Sequence, residues 1–155
     1  MRNFFLISIL SLFIFCSTGY AELVDNSDGT VTDTRTGLMW QKAEAGTKIW
    51  KEAIAYCETL LLAGHSDWRL PDLNELQSIA DSIGDNPSIY RTAFPDTTSY
   101  TFWSSTTKDD ATDHALVMLL KDGESYGKFG DVSPGDKHNG QGVRAVRDEI
   151  GRAHV

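Results

Sequence analysis

DWRLPDLNELQSI, residues Asp67–Ile79, is the stretch on which the fold turns. Pro71 has no N–H and disfavours helical backbone at Leu70, so Trp68–Leu70 is expected to be extended. Asp72 followed three residues later by Glu75 is a capping box with Asp as the cap. Leu73, Leu76, Ile79 and Ala80 then recur at helical spacing and give the helix one apolar stripe. Extended segment, Pro stop, cap and helix agree on a strand-to-helix corner. Trp68 fills such a corner by area. Arg69 is expected to pair with a carboxylate such as Glu75, since buried corners tolerate a paired arginine; the alternative is an arginine facing a ligand.

Upstream, GTKIWKEAIAYCETLLLAGHS places Ile49, Ala53, Cys57, Leu60 and Leu61 on one face of a helix of about four turns. Thr47 reads as its N-cap, and Gly64 as the left-handed residue at its C-terminus. Earlier still, Thr30–Asp33 and Leu38–Lys42 read as two antiparallel strands joined by a Thr34–Gly37 turn. Downstream, Asp81–Thr101 carries Pro87, Pro95 and many polar residues. It reads as an ordered loop pinned by Ile89, Tyr90 and Phe94. Strands are expected at Tyr100–Thr106, Ala115–Leu120 and Glu124–Phe129, then a loop over Gly130–Gly142 and a last strand at Val143–Arg147. The order predicts an α+β domain with two helices packed on small antiparallel sheets with long loops.

The first residues, MRNFFLISILSLFIFCSTGYA, have the charged start, apolar middle and small-residue exit of a signal peptide over 1–21. The expectation is export to the periplasm or beyond. Lipidation at Cys16 is disfavoured by the bulky Phe15 before it. The closing EIGRAHV, Glu149–Val155, reads as a non-native or disordered tail, and back-translated it matches one frame of a common library adapter. Between them, residues 22–148 form one domain's worth of chain.

The chain carries 14 Lys and Arg against 22 Asp and Glu, a net charge of −8, with no basic cluster. That balance argues against nucleic acid as a partner. With Cys16 in the signal, Cys57 is the single thiol of the domain and cannot form an internal disulfide. No Gly-x-Ser-x-Gly or His-Glu-x-x-His motif occurs, and His65, His114 and His138 lack zinc-ligand spacing. No catalytic residue is assigned. The acids of KDDATDH (Asp109, Asp110, Asp113) and GDVSPGDKHNG (Asp131, Asp136, Asn139) could offer oxygens to calcium, or could simply serve as turn residues.

DNSDGTVTDTRTGLMWQ, YCETL, DWRLPDLNEL, FWSST and VRAVR, in this order, resemble the Lcl C-terminal domain family over nearly all of Asp25–Asp148. The resemblance implies a C-type-lectin-like α+β fold at bacterial surfaces or in the periplasm, without catalysis. In the adhesin that names the family the domain is associated with sulfated glycosaminoglycans. It also implies that Trp40, Trp68, Arg69, Pro71, Trp103, Arg144 and Arg147 are a fold signature. Two departures stand out: some relatives carry a Cys where this chain has Ala145, and sulfated polymers call for positive surface that this acidic sequence does not display. The resulting expectation is a non-catalytic binding module for a glycan or a cell-surface protein. Its ligand would be met by Asp131, Asp136, His138 and Asn139, with Asp109, Asp110 and Asp113. The alternatives are a self-assembling envelope protein and an enzyme of unknown type.

Overall fold

The computed structural model describes residues 23–83, 87–108, 111–120 and 128–149. The chain begins with β1 (Leu23–Asp25), β2 (Thr30–Asp33) and β3 (Leu38–Gln41), an antiparallel meander. A two-residue strand, β4 (Thr47–Lys48), leads into α1 (Trp50–Thr59), followed by α2 (Leu73–Ile83) and α3 (Pro87–Ala93). The rest is β5 (Thr101–Lys108), β6 (Ala111–Leu119), β7 (Val132–Asp136), β8 (Gln141–Gly142) and β9 (Val146–Asp148). Two sheets result, ordered β1-β2-β3-β9 and β4-β8-β5-β6-β7. The α+β expectation holds. The pairing is antiparallel except where β8 lies parallel to β5 at Phe102 and Gly142.

The corner forms as its residues dictate. Asp72 Oδ1 accepts from the Glu75 N–H at 2.8 Å, and Glu75 Oε2 accepts from the Asp72 N–H at 2.8 Å, a reciprocal capping box. Arg69 sends two guanidinium hydrogen bonds to Glu75, each 2.6 Å long. Its backbone exchanges two hydrogen bonds with Val146, both 2.9 Å, which ties the corner to β9. Trp68 is buried and donates its indole N–H to the Leu62 carbonyl at 3.3 Å.

Several expectations are corrected. Thr47 does not cap α1; pairing with Gly142 draws it into β4, and Ile49 stands at the cap without a side-chain bond. The first turn is served instead by the Lys137 carbonyl, which accepts from the Trp50 N–H at 3.1 Å. Gly64 is left-handed (φ +79°), but so is Ala63 (φ +53°). Together they turn a small hairpin in which Leu62 and His65 bond each other, the twist that two consecutive left-handed residues supply. The loop expected over Asp81–Thr101 contains a third helix. Pro87 opens α3, where its missing N–H costs nothing. The Gly130–Gly142 loop is largely strand. β7 tolerates Pro134 because it lies at the edge of its sheet, paired only with β6. The strand expected at Glu124–Phe129 falls mainly outside the described residues; Lys128 and Phe129 lie in the turn before β7. The last strand starts at Val146, because the Val143 and Ala145 carbonyls are taken by the Ala45 and Gln41 N–H groups, outside a regular ladder.

Two hydrophobic clusters hold the layers. One joins Trp40, Leu76, Ile79, Tyr90, Phe94, Phe102 and Met118 between the first sheet, α2, α3 and the β5–β6 pair. The other joins Ala53, Cys57, Trp68, Leu70, Trp103, Val117 and Ala145 under α1. Among the described residues no helix is long and apolar enough to cross a membrane. The Glu149 N–H donates to the Gly37 carbonyl at 3.0 Å, one residue beyond β9.

Candidate functional site

The signature side chains serve the scaffold. Trp40, Trp68, Trp103 and Pro71 are buried. The Trp103 indole N–H donates to the Lys48 carbonyl at 2.8 Å. Arg144 is buried and donates to the Gln41 carbonyl at 2.7 Å, to the Lys42 carbonyl, and to Thr97 Oγ1 at 2.9 Å, while its guanidinium lies 4.2 Å from the Phe94 ring centre. Arg147 is buried beneath Asp67, which takes its Nε–H at 2.7 Å and its Nη2 at 3.1 Å. That hydrogen bond holds the Asp67 carboxyl below its usual range. Arg69 is half-buried and faces Glu75, with Asp148 at 3.7 Å, and the Glu75 bond raises the arginine further above its ordinary value.

Of the acids and amides expected at a site, Asp113, Asp136, His138 and Asn139 come together at one end of the β6–β7 ladder. His114 stands opposite Asp136 in register. The His114 ring is 2.9 Å from Asp113 Oδ1, and the His138 ring is 3.0 Å from Asp136 Oδ1. Asp136 lies below its usual pKa because the His138 N–H, and then the His138 ring, bond its carboxylate; for Asp113 the first cause is the His114 ring. The Asn139 N–H closes the turn onto the Asp136 carbonyl at 2.9 Å. Asp131 sits at the far end of β7, where it accepts from the Lys128 N–H at 2.7 Å, so it belongs to a different turn. Asp109 and Asp110 lie outside the described residues. Among the described residues no three His, Cys, Asp or Glu side chains converge to hold a metal ion. Of the acids expected to gather round calcium, the described Asp113, Asp131 and Asp136 are divided between turns and histidine partners.

Two depressions are lined by residues in β4 and β8 or close to them in sequence. The first, about 370 Å³, lies between the start of α1 and the β6–β7 end, lined by Ile49, Trp50, Lys51, Thr112, Asp113, Lys137 and His138. Lys137 Nζ stands 4.3 Å from the Trp50 ring centre and donates to the Thr112 carbonyl at 2.7 Å. Trp50 is fixed from its other end, its indole N–H on the Ser104 carbonyl at 2.9 Å. The second, about 260 Å³, is bordered by Thr47, Ser99, Tyr100, Thr101, Gly140, Gln141 and Gly142. Behind it Glu44 takes the Thr98 and Ser99 N–H groups at 2.7 and 3.1 Å, and the Ser99 hydroxyl. Burial would raise the Glu44 carboxyl, but these bonds outweigh it, Ser99 first, and the group lies below its usual range.

The sequence reading missed Trp50, Lys137 and the whole second depression. The available signal was Gly140-Gln141-Gly142: glycines two apart in a strand mark a close backbone approach. A Cβ at Gly140 would stand 2.5 Å from Thr47 Cγ2, and one at Gly142 would stand 2.6 Å from Ser99 Cβ.

No curated protein matches the chain. The family model of the Lcl C-terminal domain matches residues 29–147, from the first turn of the β1–β2–β3 sheet to the buried arginine of β9. The chain belongs to the Lcl C-terminal domain family.

Proposed function

We propose that this chain is a non-catalytic exported binding module with a C-type-lectin-like arrangement, meeting a glycan or a cell-surface protein beside its β4–β8 ladder. The observation that carries the reading is the pair of depressions lined by residues in β4 and β8 or close to them in sequence, on a tightly tied scaffold. Ligands are met where turns are held by a rigid frame. The signature arginines and tryptophans are engaged in scaffold contacts, and the β4–β8 edge carries exposed polar groups. The family membership and the apolar run of residues 4–15 support export. The arrangement of two small sheets carrying helices supports the lectin-like reading of the fold. The Asp113 and Asp136 carboxylates each lie beside a histidine, at 2.9 and 3.0 Å.

The test is a binding panel on the purified chain. Neutral and sulfated glycans and extracts of cell-surface protein are offered, each with calcium and with a chelator. The expected result is saturable binding that the triple variant Asp136→Ala, His138→Ala, Asn139→Ala abolishes without unfolding the chain. Calcium-dependent binding that Asp109→Ala and Asp110→Ala abolish would give those carboxylates a part in the site. Binding that survives the triple variant removes the β6–β7 end from the site. A chain that binds nothing and sediments as a concentration-dependent assembly overturns the reading in favour of an envelope building block.

A further inference from the structure

The second depression has a fixed hydrogen-bond polarity, and that polarity selects a ligand. Ser99 Oγ–H is given to the Glu44 carboxylate, and Thr101 Oγ1–H is given to Gln141 Oε1. With those protons committed, the two hydroxyl oxygens act towards a ligand as acceptors, and both residues line the depression. Gln141 Nε2, on the same wall, brings two protons of its own. Acceptors and a donor stand side by side on a surface with no charged side chain in its lining.

An anion fits this surface badly. A sulfate or carboxylate offers acceptor oxygens only, and two of the wall's groups are acceptors too. Glu44 behind Ser99, and the net charge of −8, add repulsion. A cation fits little better. The Glu44 oxygens already take two backbone N–H groups and the Ser99 and Thr98 hydroxyls, and Gln141 would present its protons to the incoming charge. A neutral hydroxyl group donates and accepts at once, so it can satisfy Ser99 or Thr101 while receiving from Gln141. Tyr100 also lines the depression. The volume, about 260 Å³, falls just under the roughly 300–1,000 Å³ of sites for drug-sized ligands, which suits one ring at a time. Gly140 and Gly142 keep the floor as bare backbone.

We propose that the depression between Ser99–Thr101 and Gly140–Gly142 is a subsite for one neutral polyhydroxylated ring, an uncharged sugar unit, and that it excludes sulfated or carboxylated units. The proposal rests on the reading of the chain as a binding module and names the ligand class at its edge.

The experiment is a titration of the isotope-labelled chain, followed by backbone amide NMR shifts, with glucose, galactose, mannose and inositol, and with heparin as the polyanion. The expected result is saturable movement of the Thr101, Gln141 and Gly142 amides with at least one neutral ring. Thr101→Val and Gln141→Ala should each weaken it by up to about tenfold, the scale of one lost hydrogen bond. Gln141 is partly exposed, so its variant should keep the wild-type spectrum elsewhere. Neutral rings that move none of these amides overturn the proposal, as does heparin moving them. If the chain binds a glycan elsewhere and both variants keep full affinity, the subsite fails while the binding-module reading stands. If no glycan or surface protein binds at all, both fail.

Discussion

At the scale of single residues, the buried ionisable groups divide by whether they have a partner. Cys57 is fully buried against Ala53 and Ala145, and desolvation, with a smaller push from Glu58, raises its thiol to about 12. A thiol held neutral at that level is a poor nucleophile. Iodoacetamide is expected to leave Cys57 unmodified in the native chain and to label it fully in denaturant; peptide mass spectrometry reads the difference. Arg147 is the opposite case, a buried cation whose counter-charge is the half-exposed Asp67. The folded pKa of Asp67 is depressed, so its stabilisation is present above the ordinary carboxylate value near 4 and fades as pH falls through the folded value. Asp67→Asn is expected to cost about 1 kcal/mol at pH 7, a figure discounted for the exposure of Asp67. Urea midpoints of the variant and the wild type should converge toward pH 3. An undiminished gap there would remove the ion pair as its cause.

At the scale of elements, the readable parts were those with a local chemical signal. The Pro71–Asp72–Glu75 series specified its corner from within a few residues, and the β2–β3 hairpin was marked by its Thr34–Gly37 turn. What escaped was decided by distant partners. β7 contains Pro134 and Gly135 and has no local strand signal; it exists because β6 offers it a ladder and Trp103 a surface. β4 and β8 are two residues each and appear only when Thr47 meets Gly142 across the chain. The second depression was illegible for the same reason, since it is assembled from these two strands and the Ser99–Thr101 segment. Gly135 makes the dependence measurable. A Cβ there would meet Trp103 Cζ3 and Val117 Cγ1 at 2.9 Å, and both belong to the packed core. Gly135→Ala is expected to destabilise by about 1–3 kcal/mol through overpacking. It should also speed amide exchange across β7. A variant as stable as the wild type would mean that β7 does not rest on Trp103.

At the scale of the whole molecule, the corner is where the layers meet. Arg69 reaches α2 through Glu75 and β9 through its backbone, while the Pro71 carbonyl accepts from the Ser105 N–H of β5 at 2.7 Å. One short segment thus ties the first sheet, a helix and the second sheet. The most distinctive residues of the chain are structural ties. The direct measurement is a double-mutant cycle on Arg69→Ala and Glu75→Ala by urea unfolding at low ionic strength. The account predicts a favourable coupling of about 0.5–1.5 kcal/mol, the bidentate geometry being offset by partial exposure of Arg69. Coupling indistinguishable from zero, in single variants as stable as the wild type, would contradict it and return Arg69 to the surface as a residue waiting for a ligand.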